Sequence, residues 1–584
     1  MGYFQKQTQN LEEDSQMYKK FLSLALVLVM LIGTLAGCSN SYNNTDTDVE
    51  AADTEASSRI ALTLTLWLPS DHFTDEAVEQ VSAAINRLTQ AKYDTAIDFK
   101  LIERDQYEDA VQAKLDGITQ LIEEEEEAAE ARRKELKELR AQGIEVEDEP
   151  EETEETLPTE DETIVNELGI TITKYPEVGE KQFDIFLITS YDQYVDYIDK
   201  EYIQQLDTEL SGSSKLLKTY IYPTYLELAN ETGTYGIPNN HPVGQYQYLM
   251  INKELVDQYD YDIDALTSVL KCGDFIKDIG NQHLDGVIPL LNEVDASNIH
   301  FFGLNEDKNE WSVIGNQITN SMSYSSPCTP KSIFSTNVYI NTVGLMKELK
   351  EAGYVGDGTL KEGEKFAVGV IPGDPNVAAQ YEDEYYVKTY TKPMMTEEDV
   401  FGAMFAVSGY SKSLARSMEI ITYLNTSTDI RTILQYGAQG IHWDYTSENS
   451  KDTIKILSND YQMRLTDTGN VYMTYPAAGR PMSDWDAGKE MNLDMISSPF
   501  IKYPGSVTEE NKELLEQLVE ISKDYKARLD ACPFAEFEDF VAEMKQEIKE
   551  NEVLKILLDN QAEYKESLVG SYGDWHDDRY PPAM

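Results

Sequence analysis

The pattern of apolar and polar positions between residues 61 and 102 predicts two strands with a helix between them. Residues 61–68 (ALTLTLWL) alternate threonine with leucine and then become continuously apolar, which is typical of a buried strand. Five apolar residues then recur at helical spacing: Ala77, Val81, Ala84, Ile85 and Leu88. Residues 97–102 (IDFKLI) predict a second strand. This order of strand, helix and strand favours a parallel sheet and an α/β fold.

A long acidic segment separates this unit from the next predicted strand, residues 183–188 (FDIFLI). Its first part contains EEEEEAAEARRKELKELR, with Glu130 four residues before Lys134, and predicts a solvated helix. Its second part, EVEDEPEETEETLPTEDE, lacks the apolar residues that would offset the entropy lost on ordering. We interpret residues 118–165 as an acidic, partly helical insertion. An arm that binds a cation or a partner remains an alternative.

The second half of the chain continues with strands and helices. After YGIPNN (residues 235–240), the segment YQYLMIN (residues 246–252) predicts a strand near a crossing between two lobes. Four apolar residues at helical spacing predict an amphipathic helix: Leu414, Met418, Ile421 and Leu424. Ser411 and Ser413 precede it as candidate N-caps. The last long helices are predicted within residues 509–568.

Residues 19–38 (KKFLSLALVLVMLIGTLAGC) have the pattern of an export signal. Two lysines precede an apolar run that is shorter than the roughly 20 residues needed to span a bilayer. The last four residues, LAGC, resemble a bacterial lipobox, which implies cleavage before Cys38 and its lipidation. We therefore interpret residues 1–37 as a signal peptide, with Met17 as an alternative start, and residues 38–58 as the lipidated cysteine and a flexible tether. An uncleaved membrane anchor is the alternative.

The charge of the chain excludes one class of partner. Its 48 Lys and Arg against 106 Asp and Glu give a net charge of −58. Such a surface repels phosphate backbones and anionic headgroups, so we exclude nucleic acid and expect membrane contact through the lipid anchor only. The 584 residues, 41% of them hydrophobic, exceed what one core usually supports and predict two domains. Cys272, Cys328 and Cys532 have no CxxC spacing and are interpreted as free thiols, with one bridged pair left open.

Motifs for metal, cofactor or nucleophilic chemistry are missing from the sequence. The six histidines form no HExxH, and there is no GxSxG. Residues 260–271 begin like a calcium loop, but Ala265 and Lys271 stand where the turn glycine and the bidentate glutamate belong. We predict no cofactor, no metal and no catalytic residue, while calcium elsewhere on the acidic surface stays open. A glycoside hydrolase with two carboxylates is the rival class, because acidic residues are so abundant.

Several segments in a fixed order carry a resemblance to a known family. They are the lipobox, LTLWLP, DIFLI, YGIPNN, YLMINKEL (residues 248–255), residues 411–445 with YGAQGIHWDY, and the helical residues 509–525 and 536–568. This order resembles the family 1 extracellular solute-binding lipoproteins of bacterial ABC importers, in particular their LipO-like subgroup. The resemblance implies a two-lobed α/β fold, periplasmic-binding-protein-like and of type II, with hinge-crossing strands. Residues 59–240 and about 400–455 would form lobe 1, and residues 241–399 and about 456–584 lobe 2.

The resemblance also implies a function. A monomeric receptor, lipid-anchored to the outer face of the cell membrane, captures a small solute between its lobes and delivers it to ABC permease subunits. The solute is expected to be a carbohydrate, since members of the family often take sugars; a peptide or another polar solute is the alternative. A cleft rich in tryptophan and amides would favour sugar, whereas an arginine opposed to a carboxylate site would favour peptide.

Candidate ligand-binding residues follow from the chemistry of sugars, which need flat apolar surfaces together with amides and carboxylates. Residues of these types occur near predicted strand ends and in polar loops: Trp67, Asp71, Asp192, Asn239, Asn240, Tyr246, Trp311, Trp443 and Trp485. Such side chains are expected at the cleft, because ligands bind at strand ends in open α/β sheets. Ordinary packing is the alternative role for each aromatic residue.

Overall fold

The alternating segment that begins near residue 61 becomes the second strand of a five-stranded sheet. The structure is a computed structural model, and it describes residues 60–142, 163–165, 171–230, 232–304, 311–320, 330–447, 449–502 and 509–560. The described strands are β1 (Leu62–Ser70), β2 (His72–Phe73), β3 (Thr95–Glu103), β4 (Thr163–Val165), β5 (Thr171–Thr173), β6 (Ile185–Ile188), β7 (Gly236–Pro238), β8 (Tyr246–Asn252), β9 (Val287–Leu290), β10 (Phe301–Gly303), β11 (Ile314–Gln317), β12 (Lys331–Ser332), β13 (Lys365–Gly373), β14 (Tyr385–Thr391), β15 (Met394–Met395), β16 (Met404–Val407), β17 (Trp443–Ser447), β18 (Ser450–Ile456), β19 (Tyr461–Gln462) and β20 (Ile496–Ser497).

Helices cover the sheets and connect their strands. The described α-helices are α1 (Asp75–Tyr93), α2 (Arg104–Ala141), α3 (Tyr191–Asp199), α4 (Asp207–Ser211), α5 (Leu217–Tyr220), α6 (Pro223–Leu228), α7 (Lys253–Gln258), α8 (Gly273–Gln282), α9 (Ala296–His300), α10 (Asn337–Glu351), α11 (Pro375–Tyr381), α12 (Glu397–Phe401), α13 (Leu414–Thr426), α14 (Thr428–Tyr436), α15 (Trp485–Asp494), α16 (Glu509–Ala531) and α17 (Phe537–Glu550). No helix in these described ranges is long and apolar enough to cross a membrane.

Lobe 1 is built around the five-stranded sheet, whose order is β3-β1-β6-β16-β7. β1 pairs in parallel with β3 on one side and with β6 on the other. β16 returns from late in the chain and runs antiparallel to both β6 and β7, so β7 points the same way as β1. The predicted strands at residues 61–68, 97–102 and 183–188 are confirmed, with shifted ends. The α/β prediction is confirmed as well.

Lobe 2 is built around a four-stranded sheet of order β14-β8-β13-β9. β13 is parallel to β9 and antiparallel to β8, which is the strand predicted at residues 246–252. A smaller sheet, β10-β11-β12, packs with the last helices in a separate hydrophobic cluster. Tyr461 and Met463 are buried with the core of the five-stranded sheet. β19 pairs with β2 beside that core, and the expected boundaries of the lobes stay a prediction.

Two further predicted helices and two of the cysteines lie within the described residues. The helix predicted at 414–424 is α13, and the Ser413 side chain caps it by accepting from the Arg416 amide. The predicted acidic helix is confirmed as α2, 38 residues long, whose buried positions end at Ile118. Cys272 and Cys532 are free thiols. The signal peptide, Met17, Cys38, the tether, Cys328 and the insertion between residues 142 and 163 lie outside the described residues.

A buried carboxylate joins three parts of lobe 1. Asp184 lies just before β6 and is fully buried. Its carboxylate oxygens accept hydrogen bonds from neighbouring side chains and backbone amides. Its Oδ2 accepts from the Thr65 amide at 2.9 Å and from Gln182 Nε2 at 2.7 Å. Its Oδ1 accepts from Ser411 Oγ and from the Lys412 amide, both at 2.7 Å. The charge of this carboxylate is therefore compensated by hydrogen bonds, as a buried ion requires.

A buried arginine fixes the loop that follows β19. Arg431 on α14 has no exposed surface. Its guanidinium donates to the carbonyl oxygens of Leu465, Gly469 and Asn470 at 2.6–3.2 Å. It also donates to Gln435 Oε1 at 3.1 Å. Three backbone carbonyls of this loop thus receive donors from one side chain, and the loop is held in place.

We predict that Asp184→Asn destabilises the protein by about 3 kcal/mol, because the new amide N–H faces donors and the charge-assisted bonds are lost. The measurement is the free energy of unfolding by urea. Asp98→Asn is the control, since Asp98 is an exposed residue of β3. Equal stabilities of the two variants would show that the Asp184 carboxylate does not hold lobe 1 together.

We predict that Arg431→Met costs at least about 3 kcal/mol of unfolding free energy, because the carbonyl oxygens of the 465–470 loop lose their donors in a buried site. Arg87→Met serves as the matched control, because Arg87 is an exposed residue of α1. Urea unfolding of both variants measures the difference. A loss of less than about 1 kcal/mol for Arg431→Met would contradict this role.

Candidate functional site

The chain passes from one sheet to the other between the edges at which their parallel strands end. β7 is parallel to β1 and β6, so the chain leaves lobe 1 at their carboxyl edge. It enters lobe 2 as β8, which begins where β9 and β13 end, because β8 is antiparallel to β13 and β13 is parallel to β9. Residues 239–245 therefore join two carboxyl edges. Ligands of open α/β sheets bind at such edges.

Three segments cross between the lobes and bond to one another; we call residues 239–246, 392–399 and 491–497 the crossing layer. Asn492 accepts from the Val243 amide at 3.0 Å and donates to the His241 carbonyl at 2.8 Å. Asp494 accepts from Tyr246 Oη at 3.0 Å and pairs with Lys392 at 2.5 Å. β15 and β20 also pair in parallel. The crossing layer is thus a connected unit rather than three independent strands.

A cavity of about 740 Å³ lies at the carboxyl edge of lobe 2, and we call it the edge pocket. Its volume is within the range of small-molecule sites. The crossing layer contributes Gly244, Gln245, Met394 and Thr396 to its wall. Residues 292–303 after β9, the start of β8, the end of β13 and the pair Trp311 and Ser312 form the rest. The pocket therefore combines hinge residues with one face of lobe 2.

Four of the polar side chains that line the edge pocket are amides. Gln245, Gln247, Asn292 and Asn298 line it, and Trp311 supplies an aromatic surface. Asn292 pairs with the backbone of Val370 through both its amide nitrogen and its oxygen. For the other three amides, no side-chain hydrogen bond is formed within the described parts of the chain. Each of these three amides can donate hydrogen bonds to a ligand from its nitrogen and accept hydrogen bonds at its oxygen.

The charged side chains in the wall of the edge pocket are two carboxylates, and each already has a partner. Glu293 forms an ion pair with Lys350 at 2.8 Å. Asp295 caps α9 by accepting from the Ser297 amide at 2.8 Å. No lysine or arginine belongs to the pocket wall among residues that the structure describes. A ligand carboxylate would therefore find no cationic partner in this wall.

The carboxyl edge of lobe 1 carries a balanced network of four charges. Asp71 pairs with Arg104 at 2.6 Å and with Arg464 at 3.0 Å. Arg104 also pairs with Asp467 at 2.5 Å. Partial burial acts to raise the pKa of Asp71, but its hydrogen bonds to Arg104 and Arg464 hold that pKa below its usual value. Burial raises the pKa of Asp467 although Arg104 opposes this effect. Asp71 thus lies at the predicted edge, bound to its own arginines.

Three more of the predicted residues lie at the same edge. Asn240 donates to the Tyr220 carbonyl and accepts from the Tyr222 amide, so both its polar atoms are occupied. Asn239 donates to the Thr466 carbonyl at 2.7 Å, on the loop that Arg431 holds, and its Oδ1 is buried without a partner. Asp192 begins α3 and has a buried, unpartnered Oδ1. It lines a second, acidic cavity of about 650 Å³.

Among the predicted aromatic residues, Trp311 is the one that lines the edge pocket. Trp67 lies inside β1, packs edge-on against Phe183 and carries Lys100 over its ring. The strand predicted over residues 61–68 continues through Pro69 to Ser70, because β6 pairs only with Leu66 and Trp67 and leaves that side of the proline unpaired.

The other three belong to packed clusters. Trp443 is 3% exposed and donates from its indole to the Gly437 carbonyl. Trp485 donates to the Thr474 carbonyl and packs edge-on against Tyr472. Tyr246 stacks on Tyr248 and donates to Asp494 in the crossing layer. Their ligand roles stay predictions.

Sequence reasoning missed the amides of the edge pocket. Gln245 and Gln247 flank Tyr246 in the crossing segment, and Asn292 and Asn298 follow β9. A signal was present in VIPLLNEVDASN, because polar residues directly after a short apolar strand lie at a carboxyl edge. Because β9 was not predicted from the sequence, the residues of the loop after it were not considered as ligand-binding candidates.

Comparisons with known proteins give distant likenesses. No protein-family model and no curated protein matches the chain. An N-glycan transport solute-binding protein from Streptococcus pneumoniae, solved with Man1GlcNAc, is 14% identical with a TM-score of 0.44 over 86% of this chain and 98% of that one. A solute-binding protein of an HMO-binding ABC transporter from Bifidobacterium longum infantis is 11% identical with a TM-score of 0.42, over 86% and 99%. A family 1 extracellular solute-binding protein from Alicyclobacillus acidocaldarius is 11% identical with a TM-score of 0.39, over 83% and 98%. With TM-scores below 0.5, the function has to be argued from the site itself.

Proposed function

We propose that this chain is the solute receptor of a bacterial ABC importer and that it binds a carbohydrate in the edge pocket. The observation that carries this proposal is the pairing of Trp311 with three unoccupied amides, Gln245, Gln247 and Asn298, at a carboxyl edge. An indole face covers the apolar C–H face of a pyranose, and amides exchange hydrogen bonds with its hydroxyl groups. The cavity volume suits one or a few sugar rings.

The same geometry supports capture by closure of the lobes. The pocket wall includes residues of the crossing layer, so a bound solute touches the segments about which the lobes can move. A solute that contacts both lobes shifts the equilibrium toward the closed arrangement. The size of the shift depends on how much more tightly the solute binds the closed arrangement than the open one. In the proposed function, the permease subunits recognise this closed form. Lipidation at Cys38 would keep the monomeric receptor at the outer face of the cell membrane.

A peptide receptor is the second candidate, and the edge pocket favours it less. A free peptide carboxylate is usually bound by arginine or lysine. The described wall supplies neither, and Arg104 and Arg464 at the opposite edge are bound to Asp71 and Asp467. A glycoside hydrolase needs one carboxyl group as an acid and another as a base or nucleophile. Glu293 and Asp295 in the pocket are instead committed to an ion pair and a helix cap.

We predict that one class of oligosaccharide raises the melting temperature of the protein, while amino acids and short peptides do not. At about 100 times the dissociation constant, binding adds roughly 2.7 kcal/mol of stability. A thermal-shift screen measures the effect, and chromatography of the sugar afterwards should recover it unchanged. Hydrolysed sugar would indicate the enzyme instead, and a response to peptides alone would reject the carbohydrate.

Variants of two tryptophans locate the site. We predict that Trp311→Ala raises the Kd of the responding sugar by at least about tenfold, or roughly 1.4 kcal/mol, because the stacking surface is removed. Trp67→Phe is the matched control and should leave the Kd within about twofold, since Trp67 packs inside lobe 1. Calorimetric titration gives both values. The reverse order of effects would place the ligand away from the edge pocket.

We predict discrimination by charge. A neutral oligosaccharide should bind at least about tenfold more tightly at low salt than the same oligosaccharide carrying one uronic acid, because the wall offers carboxylates and no described cation. Salt screens exposed charges, so the difference should narrow at high ionic strength. Equal affinities at low salt, or a preference for the acidic sugar, would contradict the electrostatics of the pocket.

A further inference from the structure

His241 occupies a central position in the crossing layer. It follows β7 directly after Asn239 and Asn240, in the segment that leads to β8. Its backbone carbonyl accepts from Asn492, and its ring points to Asp399 on α12, just after the second crossing. The side chains of His241 and Asp399 are only 15% and 19% exposed. The pair therefore joins two crossings in a largely dry environment.

Both ring nitrogens of His241 face hydrogen-bond acceptors. Nδ1 lies 2.9 Å from the Asn239 carbonyl oxygen, and Nε2 lies 3.1 Å from Asp399 Oδ1. A neutral imidazole carries one N–H and can donate to only one of these acceptors, whereas an imidazolium donates to both. The geometry is therefore satisfied by the charged form.

Asp399 is arranged as an ionised partner. Its Oδ2 accepts from the Thr396 amide at 2.7 Å and from Thr396 Oγ1 at 2.9 Å, which closes a capping box at the start of α12. Three donors thus converge on this carboxylate when His241 is charged. Thr396 is also part of the edge-pocket wall, as are Gly244 and Gln245 a few residues after His241.

The other groups around the ring do not replace this charge pair. Glu398 on α12 adds a second negative charge, and the Tyr225 ring on α6 lies 5.9 Å away between centroids. Within the described residues, no lysine or arginine bonds to His241 or to Asp399. Burial acts to lower the pKa of His241, but the hydrogen bond and the charge of Asp399 outweigh it and raise that pKa above its ordinary value.

We propose that His241 is a positioning residue held as an imidazolium, and that its bonds to Asn239 and Asp399 fix the two crossings that shape the edge pocket, so that solute binding weakens when the ring loses its proton. This inference rests on the proposed function only for the identity of the binding site. The charge state and the positioning belong to the protein without any solute.

The sign of the pH effect follows from linkage. A histidine whose pKa is higher in the folded than in the unfolded protein stabilises the fold at pH values below its unfolded pKa. This contribution is lost as the pH rises through the folded pKa. Both the stability from the pair and the order of the pocket are therefore expected to fall toward alkaline pH.

The first measurement is nitrogen-15 NMR of the histidine rings in the purified protein between pH 5 and 10. The resonance of His241 is identified as the one that is lost in His241→Gln. We expect its titration midpoint to lie above the ordinary histidine value of about 6.5, and Asp399→Asn to bring it down. A midpoint at or below about 6.5 would overturn the proposal, whether or not the protein binds sugar.

The second measurement is the Kd of the responding sugar at pH 6 and above the measured midpoint. We expect the Kd of the wild type to rise by about fivefold or more, the lower end of typical site coupling. His241→Gln and Asp399→Asn should show no such step. His283→Asn is the control and should follow the wild type, because His283 is exposed in the left-handed region, which asparagine tolerates. A step that persists in His241→Gln would overturn the proposal.

A third measurement tests the positioning role of His241 in the absence of any solute. Amide hydrogen exchange of residues 243–245 and 394–396, compared at one pH between wild type and His241→Gln, reports their order without a solute. We expect faster exchange in the variant below the His241 midpoint. Equal exchange would reject the positioning role, while faster exchange in a protein that binds no sugar would reject only the proposed function.

Discussion

The pairing of β8 with β13 is the constraint on which the site depends, because it decides which edge of lobe 2 meets lobe 1. β13 runs parallel to β9 and antiparallel to β8, so the strand that enters from lobe 1 begins where the other two end. Loops after those strands then lie at the edge of lobe 2 that the chain enters from lobe 1. Trp311 and the amides come together there from segments that are far apart in sequence.

The charges of the protein are distributed in a way that suits a neutral solute. The chain carries a net charge of −58, yet the carboxylates described at the edge pocket and at the carboxyl edge of lobe 1 have partners. Asp71 and Asp467 hold arginines, Glu293 holds Lys350, and Asp295 caps a helix. What remains available to a ligand is a set of amides and an indole. Amides act at any physiological pH, so the charge that we infer to matter most for the pocket is the one on His241 in the crossing layer.

The sequence predicted local structure well where one hydrophobic pattern was sufficient. β3 was recognised by its alternating pattern, β1 and β8 by their apolar runs, and α13 by apolar residues at helical spacing. The site was predicted only in part. Asp71, Asp192, Asn239 and Asn240 do follow strands at the expected edge, and Trp311 does line the pocket. Gln245 and Asn298 carry no pattern of their own, and only the pairing of distant strands brings them to one wall. Trp443 had a favourable motif, but its indole is satisfied by a backbone carbonyl inside a small core.

The most direct test of the central claim is a crystal structure of the protein with the oligosaccharide that stabilises it most. The account predicts a sugar ring against the Trp311 indole, with hydroxyl groups within about 3.2 Å of the side-chain amides of Gln245, Gln247 or Asn298. It also predicts that no lysine or arginine bonds to the ring substituents. A sugar bound elsewhere, for example in the groove between α1 and α14 beside Trp443, would contradict the assignment of the site.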